Sequence, residues 1–181
     1  ELNSAIDDNK LACPDKKDKD KRRPDTGGSL DPNEKTGPLG YGTTHYIRGS
    51  DRLMNYNIFF ENVDSATAAA QQVVIIDTLD KNVFNLSTFQ VNSFGVGMHT
   101  FSFPKDRKEF VGDYTISNDL AIRPIIKLDT ATGILTATFL TIDRTTGDIP
   151  DNPLTGFLPP NKTAPEGDGY LNYSVHLKEG L

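Results

Sequence analysis

A chain of 181 residues with 36% apolar residues and a formal net charge of −6 suits one domain with an appendage outside its core. The acidic balance disfavours a nucleic-acid partner, which needs a clustered basic face, and no apolar run approaches the ~20 residues of a membrane span. The single Cys13 excludes an internal disulfide, and a start at Glu1 without a signal peptide fits a mature processed chain or a fragment.

Residues 1–9 are short and half apolar, with Leu2, Ala5 and Ile6 among Asn and Asp. Lys10 to Gly28 is charged, is broken by Pro14 and Pro24, and has no hydrophobic period. That composition describes a solvated linker. Its acids, Asp15, Asp18, Asp20 and Asp25, have the rough spacing of a calcium loop, but Lys and Arg fill the gaps and repel a cation. The chain therefore divides into an arm and linker over 1–28 and a β-domain over 29–181. Ser29 to Gly42 is rich in turn formers. Asp31, Asn33 and Glu34 place three oxygen-bearing side chains within four residues. They form either a plain turn or one wall of a calcium (Ca2+) site, since hard cations take carboxylate and carbonyl oxygens.

From Thr44 to Ile47 onward, strands follow one another. Leu53 to Phe60 alternates, with Met54, Tyr56, Ile58 and Phe60 on one face, which predicts a strand with one buried face. The continuous Val73 to Ile76 run within Ala70 to Asp77 predicts a strand buried on both sides. Thr88 to Phe94 and Met98 to Phe103 flank Gly95-Val96-Gly97 as a hairpin. Leu120 to Leu128 alternates as well, and Pro124 within it predicts an edge or a bulge, because proline cannot donate to a ladder. Ile134 to Ile142 follows the turn Thr130 to Gly133. Asp143 to Gly169 is a long Pro-rich loop in which Asp143, Asp148 and Asp151 are candidate Ca2+ ligands and Phe157-Leu158 an apolar anchor. An ordered loop without an ion is the competing reading. Tyr170 to Leu177 sends Leu171, Tyr173, Val175 and Leu177 inward. No helical period appears. The fold class is all-β, an antiparallel β-sandwich.

No catalytic constellation emerges, so a non-enzymatic role is expected. His45, His99 and His176 lack ligand spacing. Cys13 sits in the charged linker, and Gly95-Val96-Gly97 is a turn with no helix after it.

The motifs LDPNEKTGPLGYG, NYNIFFENVDSATAAAQQVVIIDTLD, STFQVNSFGVG, LTIDRTTGDIPDNPLTGFLPPN and GYLNYSVHLKEGL occur in that order. Together they resemble a repeat module of unknown function from large bacterial and archaeal extracellular surface proteins. The resemblance implies an Ig-like sandwich over roughly 29–181, a secreted or cell-surface location, and a role in stalks, spacers or adhesins. Fold alone does not fix which. Modules of that kind continue into a closing strand after the counterpart of Lys178 to Leu181, whereas this chain stops there. Leu2-Asn3-Ser4-Ala5-Ile6-Asp7 looks like a shortened version of that strand. Leu2, Asn3, Ala5 and Ile6 are thus candidates for strand donation, either within their own subunit or into the next. Donation to the next subunit gives a head-to-tail homopolymer, a filament. The alternative is a carbohydrate-binding or adhesive module with glycan partners, for which Tyr41, Tyr46, Tyr114 and Tyr170 are scattered candidates and Trp is absent.

Overall fold

The computed structural model describes residues 33–105 and 109–180. The donor segment Leu2 to Ile6, the linker and Asp31 lie outside these residues. Among those described there is no helix, and hence none long and apolar enough to cross a membrane. Ten strands are present: β1 (Asn33–Thr36), β2 (Leu53–Glu61), β3 (Gln72–Thr78), β4 (Phe84–Val96), β5 (His99–Ser102), β6 (Glu109–Val111), β7 (Tyr114–Thr115), β8 (Leu120–Asp129), β9 (Ile134–Asp143) and β10 (Asp168–Leu177).

They form two antiparallel sheets. One has the order β1-β2-β10-β4-β5, and the other runs β3-β9-β8-β6, with β7 also on β8. The last described strand, β10, lies between β2 and β4. In an immunoglobulin constant domain the last strand is a sheet edge. The inner faces meet in one core. Met54, Ile58 and Phe60 of β2 and Leu171, Tyr173 and Val175 of β10 face Leu135, Ala137 and Phe139 of β9 and Ile122 and Ile126 of β8. Alternation in sequence thus becomes alternation in burial, as a pleated strand with one covered face requires.

The strand β2 pairs with β1 and β10, and β3 pairs with β9. Two local readings change. The Val73 to Ile76 run is covered on one face only. Val73 and Ile75 are buried, while Val74 and Ile76 are 46% and 69% exposed, so the outer face of this strand is open to solvent. Thr44 to Ile47 is not a strand: residues 42–45 form a turn, closed by an isolated bridge between Tyr41 and Tyr46.

Pro124 has a specific place. Leu120 accepts from Ile116 on the β7 side of β8. By alternation Pro124 points its donorless nitrogen to that same side. There β6 pairs with Ile125 to Lys127 and β7 with Ala121 and Ile122, so the proline falls in the gap between them. Asp113, in that gap, takes two hydrogen bonds from the Arg123 guanidinium, at 2.6 and 2.8 Å.

The long loop is anchored as its sequence suggests. Phe157 and Leu158 are buried, and Leu158 bridges to Ala70. Asn62, at the end of β2, fixes the loop from below. Its side-chain Nδ2 donates to the carbonyls of Ala68 and Leu158, both at 2.9 Å.

Candidate functional site

The sandwich has two lateral seams, and they are closed by different chemistry. On the β5–β6–β7 side, six rings interlock across the sheets: Phe94, Phe101, Phe103, Phe110, Tyr114 and Phe139. Neighbouring centroids stand 4.8 to 6.0 Å apart. Each such pair adds ~0.5–1.5 kcal/mol beyond its buried area. This side is a continuation of the core.

On the opposite side, β1 and β3 are the two edges. A groove of about 230 Å³ runs between them, lined by Asn33, Glu34 and Lys35 of β1, Ile58 of β2, and Val74 to Asp77 of β3. One polar clasp spans it. Lys35 Nζ donates to both Asp77 carboxylate oxygens, at 2.7 and 2.9 Å, and lies 4.6 Å from the centroid of the Tyr56 ring. The Tyr173 hydroxyl, inside the core, donates to Asp77 Oδ2 at 2.6 Å. Burial first, then the hydrogen bond and the negative charge of Asp77, hold the Tyr173 proton far above the ordinary tyrosine range. Burial and the same charge also raise Tyr56. The clasp ties the sheets at one point and leaves the rest of the seam as a groove.

The edges differ in how well they are protected. The strands β1 and β5 have four residues each, NEKT and HTFS, and β6 has three. Edges this short resist further pairing. The edge strand β3 has seven residues, QVVIIDT, with no proline and with Val74 and Ile76 open to solvent. It pairs only with β9 among the described residues. It is the longest and most apolar free edge of the described fold, and the groove lies beside it.

Among the described residues, the sequence-derived calcium candidates do not gather. Asn33 and Glu34 belong to β1 rather than to a turn. Asp143 is the last residue of β9, and its Oδ1 accepts from the backbone amides of Thr145 and Thr146 at 2.7 and 3.3 Å. Asp148 stands near Arg123, whose proton its charge helps to hold, and Asp151 is exposed. Among the described residues no group of three or more His, Cys, Asp or Glu is placed to share a metal ion. His45, His99 and His176 are all exposed.

A second, larger concavity of about 520 Å³ lies on the outer face of the first sheet, around Phe59, Tyr170 and Asp168. Of the four scattered tyrosines, Tyr170 alone is in it. Phe59 and Tyr170 are directly opposite in the β2–β10 ladder. Only the pairing of distant strands brings them together, so no local sequence signal marks the site.

A domain of unknown function, DUF7619, matches residues 31–111 of the chain. No curated protein and no solved structure matches. The matched span runs from β1 to β6. Within it only β1–β2 and β4–β5 are paired, while β3 needs β9, and β2 and β4 both need β10. The matched segment therefore completes neither sheet without the residues that follow it.

Proposed function

We propose that the chain is a structural subunit of an extracellular assembly, in which copies join by adding a strand from one to the open edge of β3 in the next. The observation that carries this reading is that edge: seven residues, Val74 and Ile76 in solvent, and an apolar-floored groove beside it. An edge of this kind is a template for strand addition, and a chain that leaves one open has a use for it or an aggregation problem. The segment Leu2 to Asp7 is the donor. In an extended strand Leu2, Ser4 and Ile6 share one face, which sets two apolar side chains over the groove floor made by Ile58 and Ile75. The linker Lys10 to Gly28 reaches about 60 Å when extended, enough to cross to a neighbour. Because donor and acceptor are different surfaces, the contact is heterologous and propagates as a filament.

The test uses the full chain with one half of the contact removed at a time. Light scattering and negative-stain microscopy of the parent chain give filaments whose length rises with concentration. Ile76→Lys, which charges the edge, and Ile6→Asp, which spoils the donor, each give monomers with unchanged circular dichroism. Mixing the two variants restores a single contact and gives a 1:1 heterodimer. A parent chain that stays monomeric at high concentration, or filaments formed by Ile76→Lys, overturns the reading.

A further inference from the structure

The outer face of the first sheet carries an aromatic platform that the strand-addition reading does not use. The ladder registers align Glu34, Phe59, Tyr170, Gly95 and Thr100 in one row across all five strands. The outward neighbours of Phe59 along β2 are Asn55, Asn57 and Glu61. Asn57 is tied into a polar ladder, in which Asn172 Nδ2 donates to Asn57 Oδ1 at 2.7 Å and Asn92 Nδ2 donates to Asn172 Oδ1 at 2.8 Å. In that polar surface Phe59 keeps 42% of its area in water.

Tyr170 is held flat beside it. A Cβ on Gly95 would meet the Tyr170 ring at 2.2 Å, so the glycine lets the ring lie down on the sheet and present a face. The ring's hydroxyl reaches Thr100 Oγ1 at 3.4 Å. Two residues along, Glu61 and Asp168 are opposite one another on the same face. Both carboxylates accept from the one Asn161 amide nitrogen, each at 2.8 Å, which fixes their orientation. The second oxygen of each takes no hydrogen bond from a described residue. The concavity around these groups measures about 520 Å³ and includes no Lys, Arg or His.

We infer that this cleft binds a neutral saccharide. A pyranose ring has an apolar face of C–H groups, weakly positive at hydrogen, that suits the negative face of an aromatic ring. Its hydroxyls are donors, and hydrogen bonds to ionised carboxylates are the stronger kind. The platform supplies both at once: ring faces from Phe59 and Tyr170, and oriented acceptors from Glu61 and Asp168. The volume falls within the ~300–1,000 Å³ of small-molecule sites. An anion is repelled by the carboxylates Glu34, Glu61 and Asp168, and a purely apolar ligand would strip water from them without return.

The experiment is saturation-transfer NMR on the full chain with four soluble hexasaccharides, of glucose, xylose, mannose and N-acetylglucosamine. At least one receives saturation from the protein's aromatic protons. Phe59→Ser weakens its binding at least tenfold with an unchanged melting temperature, and Asp168→Asn weakens it severalfold. Tyr170→Ala also abolishes binding but uncovers Gly95, so Phe59→Ser is the deciding variant. Transfer to none of the four sugars overturns the inference. So does transfer undiminished in Phe59→Ser, or tighter binding of N-acetyl-lysine amide than of any sugar, which would make the cleft a cation site. Strand addition is scored by Ile76→Lys on the opposite sheet, so the two readings fail independently.

Discussion

Replacing Asp77 with alanine probes how the two sheets are held at the β1–β3 seam. In the parent chain the carboxylate accepts from Lys35 Nζ, from the Tyr173 hydroxyl and from the Thr78 amide. The side chains of Lys35 and Asp77 are 38% and 13% exposed, so the ion pair is partly screened and contributes about 0–1 kcal/mol. The Tyr173 hydroxyl is different. Its ring is buried between Tyr56 and Phe89, with centroids 5.3 and 5.4 Å away, and removing its acceptor strands a buried donor at about 1–3 kcal/mol. Asp77→Ala is therefore expected to cost about 1–4 kcal/mol in all. Tyr173→Phe removes the donor with the ring packing intact and costs about 1 kcal/mol. In that background Asp77→Ala loses little beyond the ion pair, so the double-mutant cycle shows a coupling of about 1–3 kcal/mol. Urea unfolding followed by far-UV circular dichroism, with constant slope against denaturant, measures all four corners. Costs that add to within about 0.5 kcal/mol, or an Asp77→Ala variant as stable as the parent, would refute the clasp.

The same tyrosine sets an alkaline limit. Burial holds its folded pKa above the ordinary tyrosine value near 10, so above that pH the unfolded chain releases a proton that the native chain keeps. The stabilisation is full below pH 10 and is lost as pH rises beyond it; melting temperature against pH falls more gently on this limb in Tyr173→Phe. Asn62→Ala removes the donor to two carbonyls at a buried position and is expected to cost about 2–4 kcal/mol, read by thermal unfolding. Gly169→Ala places a Cβ 2.1 Å from the Phe60 ring, which is itself buried, whereas a Cβ at Gly49 meets nothing within 4 Å. The first is expected to lose about 1–3 kcal/mol and the second to stay within about 0.5 kcal/mol of the parent.

Strand existence was legible in β2, β8, β9 and β10, where a long run alternates over one covered face, but not in β6 and β7, which are too short to show a period. Leu171, Tyr173 and Val175 alternate with polar residues, and all three are buried. Pro124 announced an irregular position because a missing donor is a local property, and the gap between β6 and β7 is where that donor would have been wasted. What failed depended on partners far along the chain. The start of β4 at Phe84 was missed because Asn85 closes a local turn onto Ser87, which disguises a strand as a loop. The Val73 to Ile76 run reads as doubly buried because β-branched residues suit any pleated surface. Whether its second face is covered depends on what packs there, and sequence period carries no record of that. The candidate site was hidden for the same reason, since Phe59 and Tyr170 meet only through the β2–β10 register.

The asymmetry of the two seams makes the misread run the informative one. A sandwich that needed only to be stable would close both sides as it closes the first, with rings that continue the core. Here the β1–β3 side is held by a charged clasp, and its longest edge exposes two large β-branched side chains. Each such residue gains little by facing water, and a charge in place of either would protect the edge at small cost to the fold. An edge kept apolar beside a groove is the feature on which the strand-addition proposal rests, and Ile76→Lys is the variant that tests it. Lys35 and Asp77 sit on the two walls of that groove, so the ion pair that ties the sheets also bounds the length of β3 open to a further strand.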